Sequence, residues 1–290
     1  MTQARAEMAG AEPAPVNRPR LGQRLGRAVL PVYTALAVGF LFLPIAVMIG
    51  FSFNDPRGRQ NITWQGFTLE NYLTIWGRPD IIEPMTRSLL VAVISTIIAT
   101  TLGTLIGLAL TRYDFRGRGP LNMLIFIPMA TPEIIMGASL LTLFVTFNLA
   151  RDILTIVIAH VMFNISYVTV TVRARLAGFN RTLEEAAMDL GADEWTTFRK
   201  VTLPLIFPGI LAAALLAFAL SIDDYVITSF VAGQDTTFPL WVFGVSRLGV
   251  PPEVNVLGTL IFGIAFLFIA VQVIAQRRKG AAEMATPQAK

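Results

Sequence analysis

Three acidic side chains lie within long apolar stretches of this sequence: Glu133, Asp223 and Asp224. A charged acid costs roughly 2.5 to 3.5 kcal/mol in the middle of a membrane, so we expect these side chains to face a cavity or a pathway. At about 1.5 Å per helical residue, Glu133 lies about 18 Å from Leu121, and Asp223 lies about 21 Å from Gly209. Both acids are therefore expected at middle to outer depth in a hydrocarbon core about 30 Å thick, where they can converge.

Helix capping offers a second interpretation of the same acids. After a break at Pro128, a helix could restart with Thr131 as its N-cap and Pro132 at its first position, and an acid such as Glu133 is favourable in a first turn. Asp223 could likewise cap a broken helix. The two interpretations are compatible, because broken helices at membrane depth are tolerated where they line a cavity.

The residues around these acids indicate the charge of the solute. Acids in a water-lined path select for cations. Tyr225 and Trp241 are candidate cation–π partners, so the expected solute is an organic ammonium rather than phosphate or sulfate. Trp241 belongs to an apolar segment, residues 238–243, that is too short to span a membrane and is interpreted either as an outer gate or as an ordinary interfacial segment.

Catalytic chemistry has little support in the sequence. It contains no cysteine, which excludes disulfides, thiolate metal sites and cysteine nucleophiles. The single histidine, His160, has no metal-ligand motif around it and is interpreted as a polar residue that packs helices. We therefore expect no metal site, no resident cofactor and no enzymatic activity.

Composition places these residues in an integral membrane protein, because 54% of the side chains are hydrophobic and only 14% are charged. No apolar run alternates with period two, so we predict an all-α protein with six transmembrane helices. Residues 1–28 and 276–290 are expected to be polar cytoplasmic tails, the first of them disordered. The predicted spans are residues 29–51, 85–110, 121–147, 153–172, 209–231 and 254–275.

The positions of the basic residues predict the orientation of the spans. If the spans alternate, seventeen of the 23 Lys and Arg residues fall on one side, in both tails, in the loop near residue 115 and in the loop around residues 173–200. Loops rich in Lys and Arg stay in the cytoplasm, so both termini are predicted to be inside. The same placement explains the net charge of +4 without nucleic-acid binding.

The longest polar stretch with a folded pattern is residues 181–208. Thr182 and Glu185 have the spacing of a capping box, and Gly191 stands where a helix end needs a left-handed residue. Asp193 is predicted to cap a second short helix, which ends at Leu203 and Pro204. A DNA-reading helix pair is disfavoured, because apolar spans bracket it and its second helix carries few basic residues.

This stretch resembles the coupling loop of bacterial ABC importer permeases, which docks into a cleft on the cytoplasmic ATPase. The resemblance rests on Glu185-Ala186-Ala187, Gly191 and Val201-x-Leu203-Pro204, whose many fixed offsets make it specific. It implies a type I importer permease fold. The implied coupling residues are Glu184, Glu185, Ala186, Ala187, Asp189, Gly191, Glu194, Leu203 and Pro204.

From about residue 31 to 275 the chain is similar to the spermidine/putrescine branch of these permeases. The matching segments include Trp64-Gln-Gly-Phe67, Arg112-Tyr113-x-Phe115-Arg116-Gly117, Pro132 followed by an acid, Ser221-x-Asp223-Asp224, Ser229-Phe230-Val231 and Gly249-Val250-x-Pro252-Glu253-x-Asn255. The resemblance implies a second related permease, two ATPase copies and a periplasmic polyamine-binding protein as partners. It also implies an inner-membrane location. The predicted substrate path is Glu133, Asp223, Asp224, Tyr225 and Trp241.

Alternative solutes and transport classes stay open at this stage. Another small organic cation or an amino-acid-like solute fits the same path acids. A secondary transporter would need ion-coupling residues and usually two related halves in one chain, which the sequence does not offer. No GxxxxGK(S/T) phosphate loop is present, so ATP is expected to bind a partner subunit.

Overall fold

The computed structural model describes residues 21–58, 60–178 and 180–285, with side chains from Val29 onward except at 268, 269, 272, 273 and 275–285. Its regular elements are helices, which confirms the all-helical class. The parts of the predicted tails at 1–20 and 286–290 lie outside the described residues. In chain order the helices are α1 (Leu21–Ser52), α2 (Glu70–Thr74), α3 (Pro79–Arg112), α4 (Arg118–Ala130), α5 (Glu133–Thr146), α6 (Ile153–Ala177), α7 (Thr182–Asp189), α8 (Glu194–Thr197), α9 (Leu203–Ile222), α10 (Val226–Val231), α11 (Phe238–Ser246) and α12 (Pro252–Ala285).

Within the described residues, four helices are long and apolar enough to cross a membrane: Val29–Ser52 of α1, α3, α6 and the continuous helix Glu194–Ile222. Helices α4 and α5 are long and apolar enough to cross a membrane only when taken together, and a bend of 109° separates them. The described apolar part of α12, Pro252–Leu267, is shorter. Four or five spans are therefore found by length and composition, and the count of six stays a prediction.

The chain divides into two compact units, one of residues 1–54 and 255–290 and the other of residues 55–254. In the first unit, the apolar window of α1 has no buried residue, so its surface is open to lipid or to another subunit. In the second unit, α6 is central, with α3 and α9 packed against it. At Gly103 of α3, a Cβ atom would lie 2.7 Å from the Cβ of Val168 on α6, so the close approach of these helices requires glycine.

Two clusters of buried apolar side chains follow α6 from one end to the other. Van der Waals packing holds such clusters together inside a membrane, where water exclusion contributes little between helices. One cluster joins α6 to α5 and α10 and includes Met136, Leu140, Phe144, Ile156, Phe163, Ile227 and Val231. The other joins α6 to α3 and α9 and includes Leu108, Val168, Val172, Leu176, Ile206, Ala213 and Ala217.

The third predicted span is broken, but the break differs from the expected one. Pro128 lies inside α4, and the chain turns at Thr131 and Pro132. Thr131 ends α4, and its hydroxyl donates to the carbonyl of Ile127 at 2.7 Å, so it does not cap α5. Pro132 occupies the N-cap position, and Glu133 is the first residue of α5. Proline fits there because the first amides of a helix have no partner within it.

The fifth predicted span is two helices rather than one. The first helix, α9, ends at Ile222, and the second, α10, begins at Val226. Pro204 was predicted to stop a helix, and this is wrong, because the helix runs through it from Glu194 to Ile222. A π-helical segment, Phe198–Thr202, precedes the proline and accommodates its missing amide hydrogen with a wider turn.

Candidate functional site

Two helix breaks meet at one cavity of about 590 Å³. The first break lies between α4 and α5, and the second, Asp223–Tyr225, lies between α9 and α10. Four of the predicted path residues, Glu133, Asp223, Asp224 and Tyr225, line this cavity. Apolar and aromatic side chains make up much of the remaining wall, among them Pro128, Met129, Met136, Phe163, Tyr167, Leu220, Val226 and Ile227.

The two adjacent aspartates have different surroundings. Oδ2 of Asp224 accepts hydrogen bonds from the amide and the hydroxyl of Thr228, at 2.8 and 2.7 Å. Its Oδ1 accepts from the amide of Ile227 at 3.3 Å, so Asp224 caps α10. Asp223 is exposed, and within the described part of the chain no other residue forms a hydrogen bond with its side chain. The capping role considered for Asp223 thus belongs to Asp224.

Glu133 faces the cavity from the opposite break. As the first residue of α5 it lies at the positive end of the helix dipole, which favours a carboxylate there. Its side chain is exposed, and no described residue pairs with it. The structure therefore combines the two interpretations of Glu133, since one residue both begins a helix and lines the cavity.

The two predicted aromatic residues are separated in the structure. Tyr225 lines the cavity, and its ring centroid lies 4.4 Å from that of Phe243 on α11. Trp241 is on α11 as well, but it stacks on Phe238 at 6.0 Å and is not part of the cavity wall. Helix α11 is attached to α3, because the amide of Phe238 donates to the hydroxyl of Ser88 at 2.8 Å.

His160 packs between helices, as the sequence predicts. Its ring is buried on α6, with Nδ1 2.6 Å from the hydroxyl of Ser221 and Nε2 3.0 Å from that of Thr228. Ser221 in turn is 2.9 Å from Ser95 on α3. Sequence analysis did not connect these hydroxyl residues with the cavity. Their only signal was the presence of small polar residues within apolar helices.

A second cavity, of about 920 Å³, lies at the other end of α9, beside the helix pair α7 and α8. Gly191 joins the pair with a φ of 89°, the left-handed conformation that its position predicts. The amide of Ala192 bonds the carbonyl of Ala187, and that of Gly191 bonds the carbonyl of Met188, which is the Schellman pattern of a helix end. Helix α9 has 20 residues, so about 30 Å of rigid helix separates the two cavities.

The predicted capping box at the start of α7 is wrong. Arg181, not Thr182, occupies the N-cap position and makes no side-chain capping bond. The side-chain oxygen of Asn180 accepts from the amide of Thr182 at 3.1 Å instead. Asp193 does occupy the N-cap position of α8, and the hydroxyl of Thr196 keeps the pKa of Asp193 below its ordinary value.

Glu184 points inward from the helix pair. Its carboxylate accepts hydrogen bonds from Arg112, at the end of α3, and from the hydroxyl of Thr202 in the π-helical segment. Both members of the ion pair are largely buried, with 22% of the Arg112 side chain and 14% of the Glu184 side chain exposed. One carboxylate therefore ties α7 to α3 and to the start of α9.

The other predicted coupling residues lie at or near the surface. Glu185, Ala186, Asp189, Gly191, Glu194 and Pro204 are exposed, and Ala187 and Leu203 are half-buried. Large apolar side chains are exposed among them: Leu183, Met188, Leu190 and Trp195. Such a patch, with Leu190 90% exposed, is typical of a surface that another protein covers.

These features define a class of protein: a membrane transport subunit whose spans break around an acid-lined cavity and whose helix pair at the other end of α9 exposes apolar side chains. The chain belongs to the family of binding-protein-dependent transport system inner membrane components, whose family model matches residues 99–280. It is a permease subunit of the ABC importer type and not an enzyme, as the sequence predicts.

Named relatives cover most of the chain. The spermidine/putrescine transport system permease protein PotC of Escherichia coli is 37% identical over 254 residues, which are 87% of this chain and 96% of PotC. The putrescine transport system permease protein PotI of Escherichia coli is 39% identical over 258 residues, 86% of this chain and 91% of PotI.

Solved structures show the same fold. A bacterial ABC transporter involved in the import of the acidic polysaccharide alginate has a TM-score of 0.63 at 18% identity, covering 89% of this chain and 97% of that one. An amino acid ABC transporter has a TM-score of 0.56 at 17% identity, covering 73% of this chain and 100% of that one. The importer permease fold expected from the sequence is thus confirmed.

Proposed function

We propose that this chain forms half of a translocation path for polyamines across the bacterial inner membrane. The observation that carries the proposal is the placement of two acids, Asp223 and Glu133, at two helix breaks that line one cavity. Neither acid pairs with another described side chain. A polyamine carries positive charges separated by methylene groups. Separate carboxylates with apolar wall between them match that pattern better than one dense acidic cluster does. The relatives with spermidine or putrescine in their names support the same solute class.

A cation is proposed as the solute because the cavity wall around the two acids is apolar and aromatic rather than basic. Within the described lining of the cavity, no Lys or Arg side chain neutralises Asp223 or Glu133. Tyr225 adds an aromatic ring at the same wall, and aromatic faces attract ammonium groups within about 6 Å. An anionic solute would meet repulsion from both acids in this cavity.

Energy for transport is proposed to come from a partner ATPase that docks on α7 and α8. Exposed Leu190 and Trp195 would supply apolar contacts to that ATPase, and the coupling residues around Gly191 would shape the surface. The remaining proposed partners are a second related permease, a second copy of the ATPase and a periplasmic polyamine-binding protein. In this arrangement ATP binds the partner, and both termini of the chain are cytoplasmic.

The proposal is tested by uptake of labelled putrescine and spermidine into vesicles that contain the assembled complex. Asp223→Asn keeps the volume of the side chain and removes its charge. We expect normal assembly and uptake reduced by about tenfold or more, since an interaction with a charged group is lost. Glu133→Gln should reduce uptake less, because part of the role of Glu133 is to begin α5 rather than to contact the solute.

Glu83→Gln is the matched control, because Glu83 is an exposed acid outside the cavity that pairs with Arg87. Its uptake should equal that of the wild type. Unchanged uptake in Asp223→Asn would contradict the role of this acid. Saturable uptake of another amine or an amino acid, without uptake of polyamines, would contradict the substrate class.

A further inference from the structure

The imidazole of His160 bridges the break between α9 and α10. Nδ1 contacts Ser221, the second-last residue of α9, and Nε2 contacts Thr228 on α10. Nε2 also lies 3.3 Å from Oδ2 of Asp224 within the break. His160 is 1% exposed, and it is not among the residues that line the cavity. It therefore acts on the cavity only through the residues that it holds.

The donors in this network can be assigned from the partners. The hydroxyl of Thr228 donates to Asp224, so its oxygen is left to accept, and the hydrogen between it and His160 must be on Nε2. In the neutral ring Nδ1 then accepts from the hydroxyl of Ser221, which also contacts the hydroxyl of Ser95 at 2.9 Å. A protonated ring donates from both nitrogens, so Nε2 faces Asp224 as a donor in either form.

This direction of donation determines how the two aspartates differ. Oδ2 of Asp224 faces two donors from Thr228 and a third from His160, which stabilise a buried carboxylate in one orientation. A carboxylate held in this way caps α10 and fixes the path of the chain through the break. Asp223 lies in the same break and has no described side-chain partner, so its position depends on the backbone around it.

We propose that His160 is a positioning residue: it holds Asp224 and both helix ends, and so keeps Asp223 in the wall of the cavity that Glu133 also lines. This inference rests on the proposed function, because it assigns the positioned acid to polyamine contact. It extends that function to a residue that touches neither the cavity nor the solute.

Two substitutions separate the two nitrogens of the ring. The amide of Gln reaches approximately where Nε2 lies and can donate to Thr228 and Asp224, whereas the shorter amide of Asn reaches only the position of Nδ1 and the contact with Ser221. In the assembled complex, His160→Asn should raise KM for putrescine and spermidine by about tenfold, as expected when a hydrogen bond to a charged group is lost. His160→Gln should restore KM to within about threefold of the wild type.

The ratio of the two KM values supplies a second readout. Putrescine and spermidine differ in the spacing of their charges, so a displaced Asp223 should change their ratio in His160→Asn. A merely structural role would lower the yield of complex without changing either KM per assembled complex. Wild-type KM values and ratio in His160→Asn would therefore overturn the proposal, as would failure of His160→Gln to restore them.

A labelling experiment keeps the inference separate from the proposed substrate. The chain has no cysteine, so Asp223→Cys places a single thiol of this subunit in the cavity. Its rate of reaction with a small cationic thiol reagent should change severalfold when His160→Asn is added, and should return when His160→Gln is used instead. Equal rates in all three backgrounds overturn the positioning role. Failure of polyamine uptake in the wild type, with the labelling change present, overturns the proposed substrate alone.

Discussion

The carboxylate of Glu184 accepts a hydrogen bond from Arg112, which lies 72 residues earlier in the chain. Because Thr202 donates to the same oxygen, α7 is joined both to the end of α3 and to the segment that leads into α9. Helix α9 continues to the break that holds Asp223. Hydrogen bonds therefore connect α7 with the segment that leads into the helix ending at the acid-lined cavity.

The first prediction concerns this ion pair. Glu184→Gln and Arg112→Gln should each reduce solute-stimulated ATP hydrolysis of the assembled complex by about three- to tenfold, since a largely buried hydrogen bond contributes about 1 kcal/mol. The double variant should lose little more than the worse single variant, because both changes remove one shared interaction. Arg118→Gln, which breaks an exposed pair with Asp114, is the control and should retain activity. Strictly additive losses would mean that Glu184 and Arg112 act separately.

Gly191 provides the second prediction. Its φ of 89° is unfavourable for residues with a Cβ, although a Cβ there would meet no atom within 4 Å. Gly191→Val should therefore disturb the turn by backbone strain alone, which costs about 1–2 kcal/mol, and reduce co-purification of the ATPase. Gly191→Asn should retain most of the ATPase co-purification, because Asn tolerates a left-handed backbone conformation. Equal co-purification of the Val and Asn variants would show that the turn conformation is unimportant for docking.

The third prediction tests the exposed apolar patch of the helix pair. Leu190 is 90% exposed, and its replacement by Ser should leave insertion and folding unchanged while weakening ATPase association by about tenfold, as for a residue central to an interface. Leu248 is also well exposed, at 68%, but it follows α11 and is not part of the helix pair. Leu248→Ser should bind the ATPase normally. Wild-type binding by Leu190→Ser would place the docking surface elsewhere.

The fourth prediction separates the adjacent aspartates by stability. Asp224→Asn replaces an acceptor with a donor next to the amides of Ile227 and Thr228, so it should destabilise the chain by about 1–3 kcal/mol. Asp223→Asn breaks no described side-chain bond and should unfold at the wild-type temperature. Thermal unfolding of the purified complex in detergent measures both. Equal shifts in Tm would contradict the different roles assigned here.

Local patterns in the sequence determined much of the architecture. The length and apolarity of each run predicted helices because no other unclosed structure satisfies its own backbone hydrogen bonds in hydrocarbon. Gly191 was predicted to be left-handed from its place after a helix, and Asp193 was predicted to cap the next helix. Both residues occupy the predicted positions, since these depend on near neighbours alone. A break before Glu133 was also predicted from the nearby prolines, although it lies at Thr131 and Pro132 rather than at Pro128.

Only the tertiary structure decided which side chain performs which role. Asp223 and Asp224 are indistinguishable by type and adjacent in sequence, but a helix break turns one toward Thr228 and His160 and leaves the other without a described partner. Glu184 was grouped with the other coupling residues, most of which are exposed, yet it turns inward because Arg112 is brought beside it. The same holds for His160, whose partners lie 61 and 68 residues away, since hydrogen bonds between distant segments exist only once the helices have packed.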